Sequence, residues 1–251
     1  MTRHGGQKIL KRLNTPVFLQ IKRKHGKFFV KSSPGPHPNN FCLPLLHIVR
    51  DLLKVVDNYR EAKKVIGLGF FKVDGKIVKD IGYPVGLMDV LSIEKMNKHF
   101  RVLPDSHYGL ILHEITEEES RFKLCRINQK TSIKGGHIQL NLHDGRNVLI
   151  RINDPKNPKE DIYQRMDVLK LSIPEQDIIK VLKFKEKHLA VIMSGKNIGQ
   201  VGKIQNITKR FGPKASTVSI EHNGSHTETL YDYTFIIGED QLEINMPNIT
   251  N

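Results

Sequence analysis

Nine Lys and Arg residues fall within the first 41 positions, with no Asp or Glu among them: Arg3, Lys8, Lys11, Arg12, Lys22, Arg23, Lys24, Lys27 and Lys31. Ammonium and guanidinium groups at that density do one kind of chemistry, the binding of polyanions. Each phosphate they neutralise releases a condensed counterion. The whole chain of 251 residues has 40 Lys+Arg against 26 Asp+Glu, a formal charge of +14. Most of that excess sits before residue 111. A self-contained fold gains nothing from such segregation, because like charges repel, whereas a nucleic-acid partner removes the penalty. A solvated, tag-like start on a basic enzyme is the plainer alternative. An anionic membrane fits less well, since no amphipathic helix with a broad apolar face accompanies the basic segment.

Other chemistry finds little support. Gly-Lys occurs at 26–27, 75–76, 195–196 and 202–203 but is never followed by Ser or Thr. The hydroxyl that a phosphate loop offers to Mg²⁺ is therefore missing. No pair among the twelve histidines has metal-site spacing, and His25, His143, His222 and His226 neighbour turns, so the histidines read as surface residues. Glu117–Glu119 opens a short helix, where negative charge suits the dipole. No Ser or Cys sits in a nucleophile elbow. Cys42 and Cys125 are too far apart in sequence and too few for a disulfide scaffold or a Cys-based zinc site, which suggests a reducing compartment. No apolar run approaches the roughly 18–20 residues of a membrane span, and the start of the chain lacks a signal-peptide pattern. The expectation is a cytoplasmic protein with no catalytic residue, metal, cofactor, membrane or small-molecule substrate.

The elements that position the charge can be read from periodicity. Residues 1–13 read as a basic arm, residues 17–30 as two short strands, and the proline-rich stretch 32–38 as a stiff connector. Leu45, Leu46, Val49, Leu52, Leu53 and Val56 recur at helical spacing and predict a helix over 43–56. Asn58 with Glu61 opens a second helix by a capping box, with Ala62, Val65 and Ile66 inward, and Gly67-Leu68-Gly69 ends it. A hairpin follows around Asp74-Gly75, then a strand at 90–93. Beyond about residue 105 the pattern is almost all β, with turns at Asp144-Gly145 and Pro174-Glu175-Gln176. Strands at 189–193, 201–207, 217–220 and 229–237 suggest a small barrel.

Arg50 and Lys54 share the polar side of the first helix, and Arg60, Lys63 and Lys64 lie opposite Ala62 and Ile66 on the second. With Lys72 and Lys76 on the hairpin they would cradle a phosphate backbone, or else be ordinary solvated residues paired with Asp51 and Glu61. The runs Arg50-Asp51-x-Leu53, Arg60-Glu61-Ala62-Lys63-Lys64-Val65-Ile66-x-x-Gly69, Val73-Asp74-Gly75-Lys76 and Tyr83-Pro84-Val85-Gly86-x-x-Asp89-Val90 resemble the alpha-L RNA-binding module, two helices packed on a small sheet. Tyr59 and Phe70-Phe71 depart from its usual pattern. Residues 191–204, with Gly195, Gly199, Gly202, Lys196 and Lys203, resemble a KOW motif, the first hairpin of an SH3-like barrel. These glycines would permit positive φ and close approach to RNA.

Lys11-Arg12-Leu13, Gly35-Pro36-His37, Leu43-Pro44-Leu45, Tyr83 to Val90, Phe122-Lys123-Leu124-Cys125 and Gly135 to Arg146 extend the likeness. Along essentially the whole chain the order of parts resembles the archaeal and eukaryotic small-subunit ribosomal protein four of the e-type, archaeal-like in length. The resemblance implies an α+β multidomain protein. A basic arm and connector (1–41) would precede an alpha-L module (42–104), a β-rich central domain (105–180) and a KOW barrel (181–251). It implies a non-catalytic role in the small ribosomal subunit, with small-subunit rRNA and neighbouring ribosomal proteins as partners. The RNA-facing residues would be Arg3, Lys8, Lys11, Arg12, Lys22, Arg23, Lys24, Arg50, Arg60, Lys63, Lys64, Lys72, Lys76, Lys196 and Lys203. Two alternatives stay open: an rRNA-modifying enzyme of pseudouridine-synthase type with an appended alpha-L module, and a translation or transcription factor with a KOW barrel.

Overall fold

The computed structural model describes residues 9–21, 24, 26–154, 158–212, 214–222 and 224–247. It contains three five-stranded antiparallel sheets. The chain enters through a hook in which β1 (Leu10–Lys11) pairs with β2 (Phe28–Phe29). The segment between them makes a 3-10 turn at Val17–Leu19, after Pro16, instead of a strand. Leu19 and Phe29 are buried, so the hook is part of the core and not a free arm from residue 9 onward.

β3 (Cys42–Pro44) leads into α1 (Leu45–His47), which runs on as a π-helical turn over Ile48–Leu52. The predicted helix over 43–56 is therefore shorter at both ends. Pro44 lacks an amide hydrogen and takes an extended conformation, so it sits at the helix entrance. At the other end Lys54 has φ +52, which stops the helix and takes Lys54 off its polar face. α2 (Tyr59–Gly67) begins after Asn58, whose side-chain amide bonds the Glu61 carboxylate at 3.3 Å instead of a backbone amide. Ala62 and Ile66 are fully buried, Val65 is half-buried, and Gly69 closes the helix at φ +81.

β4 (Phe71–Val73) and β5 (Lys76–Ile77) meet at Asp74-Gly75, both at positive φ, the mirror-image turn that matches strand twist. β6 (Pro84–Gly86) pairs with β3. β7 (Val90–Ile93), β8 (Lys98–Asp105) and β9 (Gly109–Ile115) complete a sheet of order β5-β4-β7-β8-β9. β8 and β9 pair from His99 and Ile115 to Asp105 and Gly109, so one hairpin spans residue 104.

A short α3 (Glu117–Ser120) follows, capped by Thr116 Oγ1, which accepts from the Glu119 amide at 3.4 Å as the capping box predicts. The middle sheet has order β12-β11-β10-β13-β14, built from β10 (Phe122–Ser132), β11 (Ile138–Leu142), β12 (Asn147–Ile150), β13 (Val168–Ser172) and β14 (Ile178–Leu182). It encloses its own core, centred on Ile127, Leu140, Leu169 and Leu171.

The last sheet comprises β15 (Leu189–Ile192), β16 (Val201–Thr208), β17 (Thr217–His222), β18 (Ser225–Leu230) and β19 (Thr234–Gly238), in order β18-β17-β16-β15-β19. The single strand predicted over 229–237 is split by a 3-10 turn at Tyr231–Tyr233. Its apolar side chains, among them Val191, Ile204, Ile220 and Phe235, join those of the first unit in one continuous core.

Ile66→Ala removes buried methylenes from the apolar core of the first unit. It should destabilise by about 2–5 kcal/mol, read as a lowered urea midpoint. Arg60→Ala with Lys63→Ala on the exposed side of α2 should stay within about 0.5 kcal/mol per site.

Candidate nucleic-acid interface

The cations fall into two classes. Lys11, Lys24, Arg60, Lys63, Lys64, Lys76, Lys196 and Lys203 are exposed, and among the described residues none of them has a carboxylate in ion-pair range. α2 presents Arg60, Lys63 and Lys64 because Ala62 and Ile66 turn its other side inward. Lys76 opens β5 just after the hairpin turn, Lys196 lies in the β15–β16 connection, and Lys203 lies on β16. Such cations keep their charge available for phosphate.

Three expected phosphate contacts are less free. Arg50 is held by Asp51 at 2.7–2.9 Å, and Lys72 is paired with Glu94. Arg12 is half-buried and its amide bonds the Lys27 carbonyl. Arg3, Lys8, Lys22 and Arg23 lie outside the described residues.

The second class is internal and was not apparent from composition. Lys123 on β10 is buried, and its three N–H donors reach Asp74 Oδ2, Asp89 Oδ1 and Asp144 Oδ2 at 2.9, 2.5 and 2.9 Å. Arg146 adds contacts to Asp74 and Asp144 at 2.5 and 3.2 Å. His37 of the connector bonds Asp89 at 3.0 Å, and the Gly86 amide donates to the same carboxylate at 2.8 Å. Burial alone would lower the Lys123 ammonium's affinity for its proton. The aspartates outweigh that and push its pKa well above the usual lysine range. Burial would also raise the Asp89 and Asp144 carboxyls, yet Lys123 holds both down, Asp144 at about 2. At Asp74 burial wins and the pKa rises.

Further cations, from buried Arg101 to exposed Lys180, bind carbonyls and acids across the units. Arg101 donates to the carbonyls of Glu119 and Phe122. Arg126 reaches those of Asp232 and Thr234 at 2.7 and 3.0 Å. Lys170 and Lys180 share Glu243. The sequence signal for the central cluster was a lysine inside the apolar run Phe122 to Cys125, together with two Asp-Gly turns.

Several expectations change here. His37 and His47 are buried, and His143 is packed against Phe235 at 5.5 Å, so these three are not surface residues. His143 Nδ1 accepts from the Arg126 amide, and Nε2 faces the Leu87 carbonyl at 3.2 Å. Burial pushes its pKa down to about 3. Cys125, His143 and Asp144 lie close enough to share a metal ion. Both His143 nitrogens are engaged, however, and Asp144 is neutralised by Lys123, so the group reads as structural. The buried aspartates are likewise committed: Asp105 accepts from the His107 and Tyr108 amides, and Asp167 from Lys183 and the Phe184 amide. The close approach at Gly199 is to the backbone of Asp105 and Ser106, where an added Cβ would stand at 2.9 Å. That at Gly202 is to the Glu221 carbonyl, at 2.1 Å. These glycines admit protein backbone, not RNA.

Three β-rich sheets joined by apolar contacts and buried ion pairs, with unpaired cations on their surface, characterise the chain, and comparison with known proteins gives its family. Residues 96–178 match the ribosomal family S4e model, 4–40 the RS4NT domain and 53–91 the S4 domain. Small ribosomal subunit protein eS4 of Staphylothermus marinus is 50% identical over 248 residues, covering 98% of both chains. The protein of the same name from Desulfurococcus amylolyticus is 49% identical over 244 residues, covering 97% of both. The crystal structure of the 30S ribosomal protein S4e from Thermoplasma acidophilum matches with a TM-score of 0.66 and 32% identity, over 78% of this chain and 95% of that one. The chain belongs to ribosomal family S4e.

Lys123→Met strands three buried carboxylates. It should cost about 3–5 kcal/mol, measured by urea unfolding at neutral pH. Acid should act in two stages. Burial opposes a charge on His143, so the folded state refuses a proton that the unfolded chain accepts between the usual 6.5 and about 3. Stability should therefore fall as pH drops below 6.5. The Asp144 contribution, complete above its usual 3.8, should be lost as pH falls through about 2. His143→Gln should flatten the upper stage in urea midpoints taken between neutral pH and the lower stage, and an unflattened profile would contradict this assignment.

Proposed function

We propose that this chain is a structural constituent of the cytoplasmic small ribosomal subunit. It binds small-subunit rRNA and neighbouring ribosomal proteins and supports subunit assembly and translation. One observation carries the reading: its relatives, matched over nearly their full length, are named small ribosomal subunit protein eS4. The unpaired cations agree with it.

In this reading the alpha-L module docks on RNA through Arg60, Lys63 and Lys64 on α2 and Lys76 on the hairpin, with Lys72 and Arg50 at its margin. The N-terminal segment adds Arg3, Lys8, Lys11, Arg12, Lys22, Arg23 and Lys24. The last sheet, with β19 returning beside β15 after a single 3-10 turn, supports an SH3-like KOW barrel that contributes Lys196 and Lys203. The interior cations hold the units in register and do not bind RNA.

The protein should co-sediment with small subunits through a high-salt wash that removes a transient factor. In filter binding to transcribed small-subunit rRNA, Arg60→Ala with Lys63→Ala should weaken affinity and lower the log–log salt slope by roughly one to two. An unchanged slope would remove α2 from the interface.

A further inference from the structure

The charge sums of the C-terminal half conceal a second segregation. Residues 187–220 contain Lys187, Lys196, Lys203, Lys209, Arg210 and Lys214 and no Asp or Glu. Three of these six cations sit on the connection between β16 and β17, which also carries Phe211 at 98% exposure. A solitary exposed apolar side chain is ordinary on a protein surface. This one differs in its company and its mounting.

Lys209, Arg210 and Lys214 flank Phe211 in sequence, are exposed, and have no carboxylate in ion-pair range among the described residues. The neck of the loop is fixed. The Arg210 amide donates to Ser216 Oγ at 3.0 Å, and the Ser216 carbonyl accepts from the Tyr231 amide at 3.0 Å. β16 and β17 stay paired up to Thr208 and Thr217. The ring is thus held out on a closed hairpin, with open space around the neighbouring Gly212 Cα. An aromatic face between cations suits one ligand class, an unpaired nucleobase with its flanking phosphates. The ring stacks on the base and the cations take the backbone. An apolar protein surface would have no use for the three charges unless it were acidic.

We propose that the β16–β17 loop is a base-stacking finger, in which Phe211 stacks on one unpaired rRNA base while Lys209, Arg210 and Lys214 hold the adjacent phosphates. The proposal rests on the rRNA-binding reading above and adds a contact that the alpha-L and KOW resemblances do not include.

The test uses the full chain and transcribed small-subunit rRNA. Phe211→Ala should weaken binding by about tenfold, the range expected for losing one stacked base, with the salt slope and thermal midpoint unchanged. Phe211→Trp should bind like the parent and Phe211→Leu should not. The triple change of Lys209, Arg210 and Lys214 to Ala should lower the salt slope by roughly two to three. Ultraviolet irradiation should crosslink the peptide holding Phe211 to a nucleotide in a single-stranded region. Parent-like binding by Phe211→Ala, or equal rescue by Leu and Trp, overturns the stacking contact while leaving the rRNA-binding reading intact. If Phe211→Ala binds rRNA normally but is lost from assembled subunits, the ring faces a neighbouring protein and the proposal fails. If the parent itself does not bind the rRNA, both readings fall.

Discussion

A single buried ammonium governs how this molecule is put together. Lys123 offers three N–H donors, and three aspartates from separate turns accept them. Asp74 and Asp89 belong to the first unit, while Asp144 and Lys123 belong to the middle sheet. His37, from the N-terminal connector, closes the group through Asp89. Apolar contacts alone would let two sheets slide, because hydrophobic attraction has no direction. A dry ammonium can be satisfied in one arrangement only, and any slip leaves a charge unpaired at a cost of several kcal/mol. The cluster therefore fixes connector, first unit and middle sheet in one geometry.

The same residue types do opposite work at the surface. Inside, Lys123, Arg101 and Arg126 are bonded to carboxylates and carbonyls and serve the protein. Outside, Arg60, Lys63, Lys64 and Lys76 lack carboxylate partners and remain available to a polyanion. Position relative to the apolar stripes decides which class a cation joins. On α2, Ala62 and Ile66 turn inward and the cations turn outward. On β10, Lys123 follows half-buried Phe122, precedes buried Leu124 and is itself almost wholly buried.

Features set by neighbouring residues were legible in the sequence. The Asp74-Gly75 hairpin, the short helix at Glu117–Ser120, the start and stop of α2 and the Asp144-Gly145 turn all form where local chemistry places them. The errors arose where one residue overrode a pattern. Pro44 cut the first helix despite a good apolar period, and the turn at Tyr231–Tyr233 divided one strand into two. What remained illegible was long-range. Lys123 meets partners 49, 34 and 21 residues away, and nothing in a linear pattern joins those positions. Asp74 and Asp144 looked like turn residues because they are turn residues. Their second role exists only after folding. The cations of α2 are exposed as expected, whereas Arg50 takes the other of its two readings, an ion pair with Asp51.

The core shared between the first and last sheets has a consequence for synthesis. Side chains such as Leu103 and Leu110 belong to the same apolar cluster as Val191 and Phe235, which the ribosome delivers much later. The first unit leaves the exit tunnel with one flank uncovered, and that flank stays wet until β19 has been made. At roughly 5–20 residues per second, the interval is on the order of ten seconds, long compared with the folding of a small sheet. A nascent chain of this design has to be shielded before it is complete.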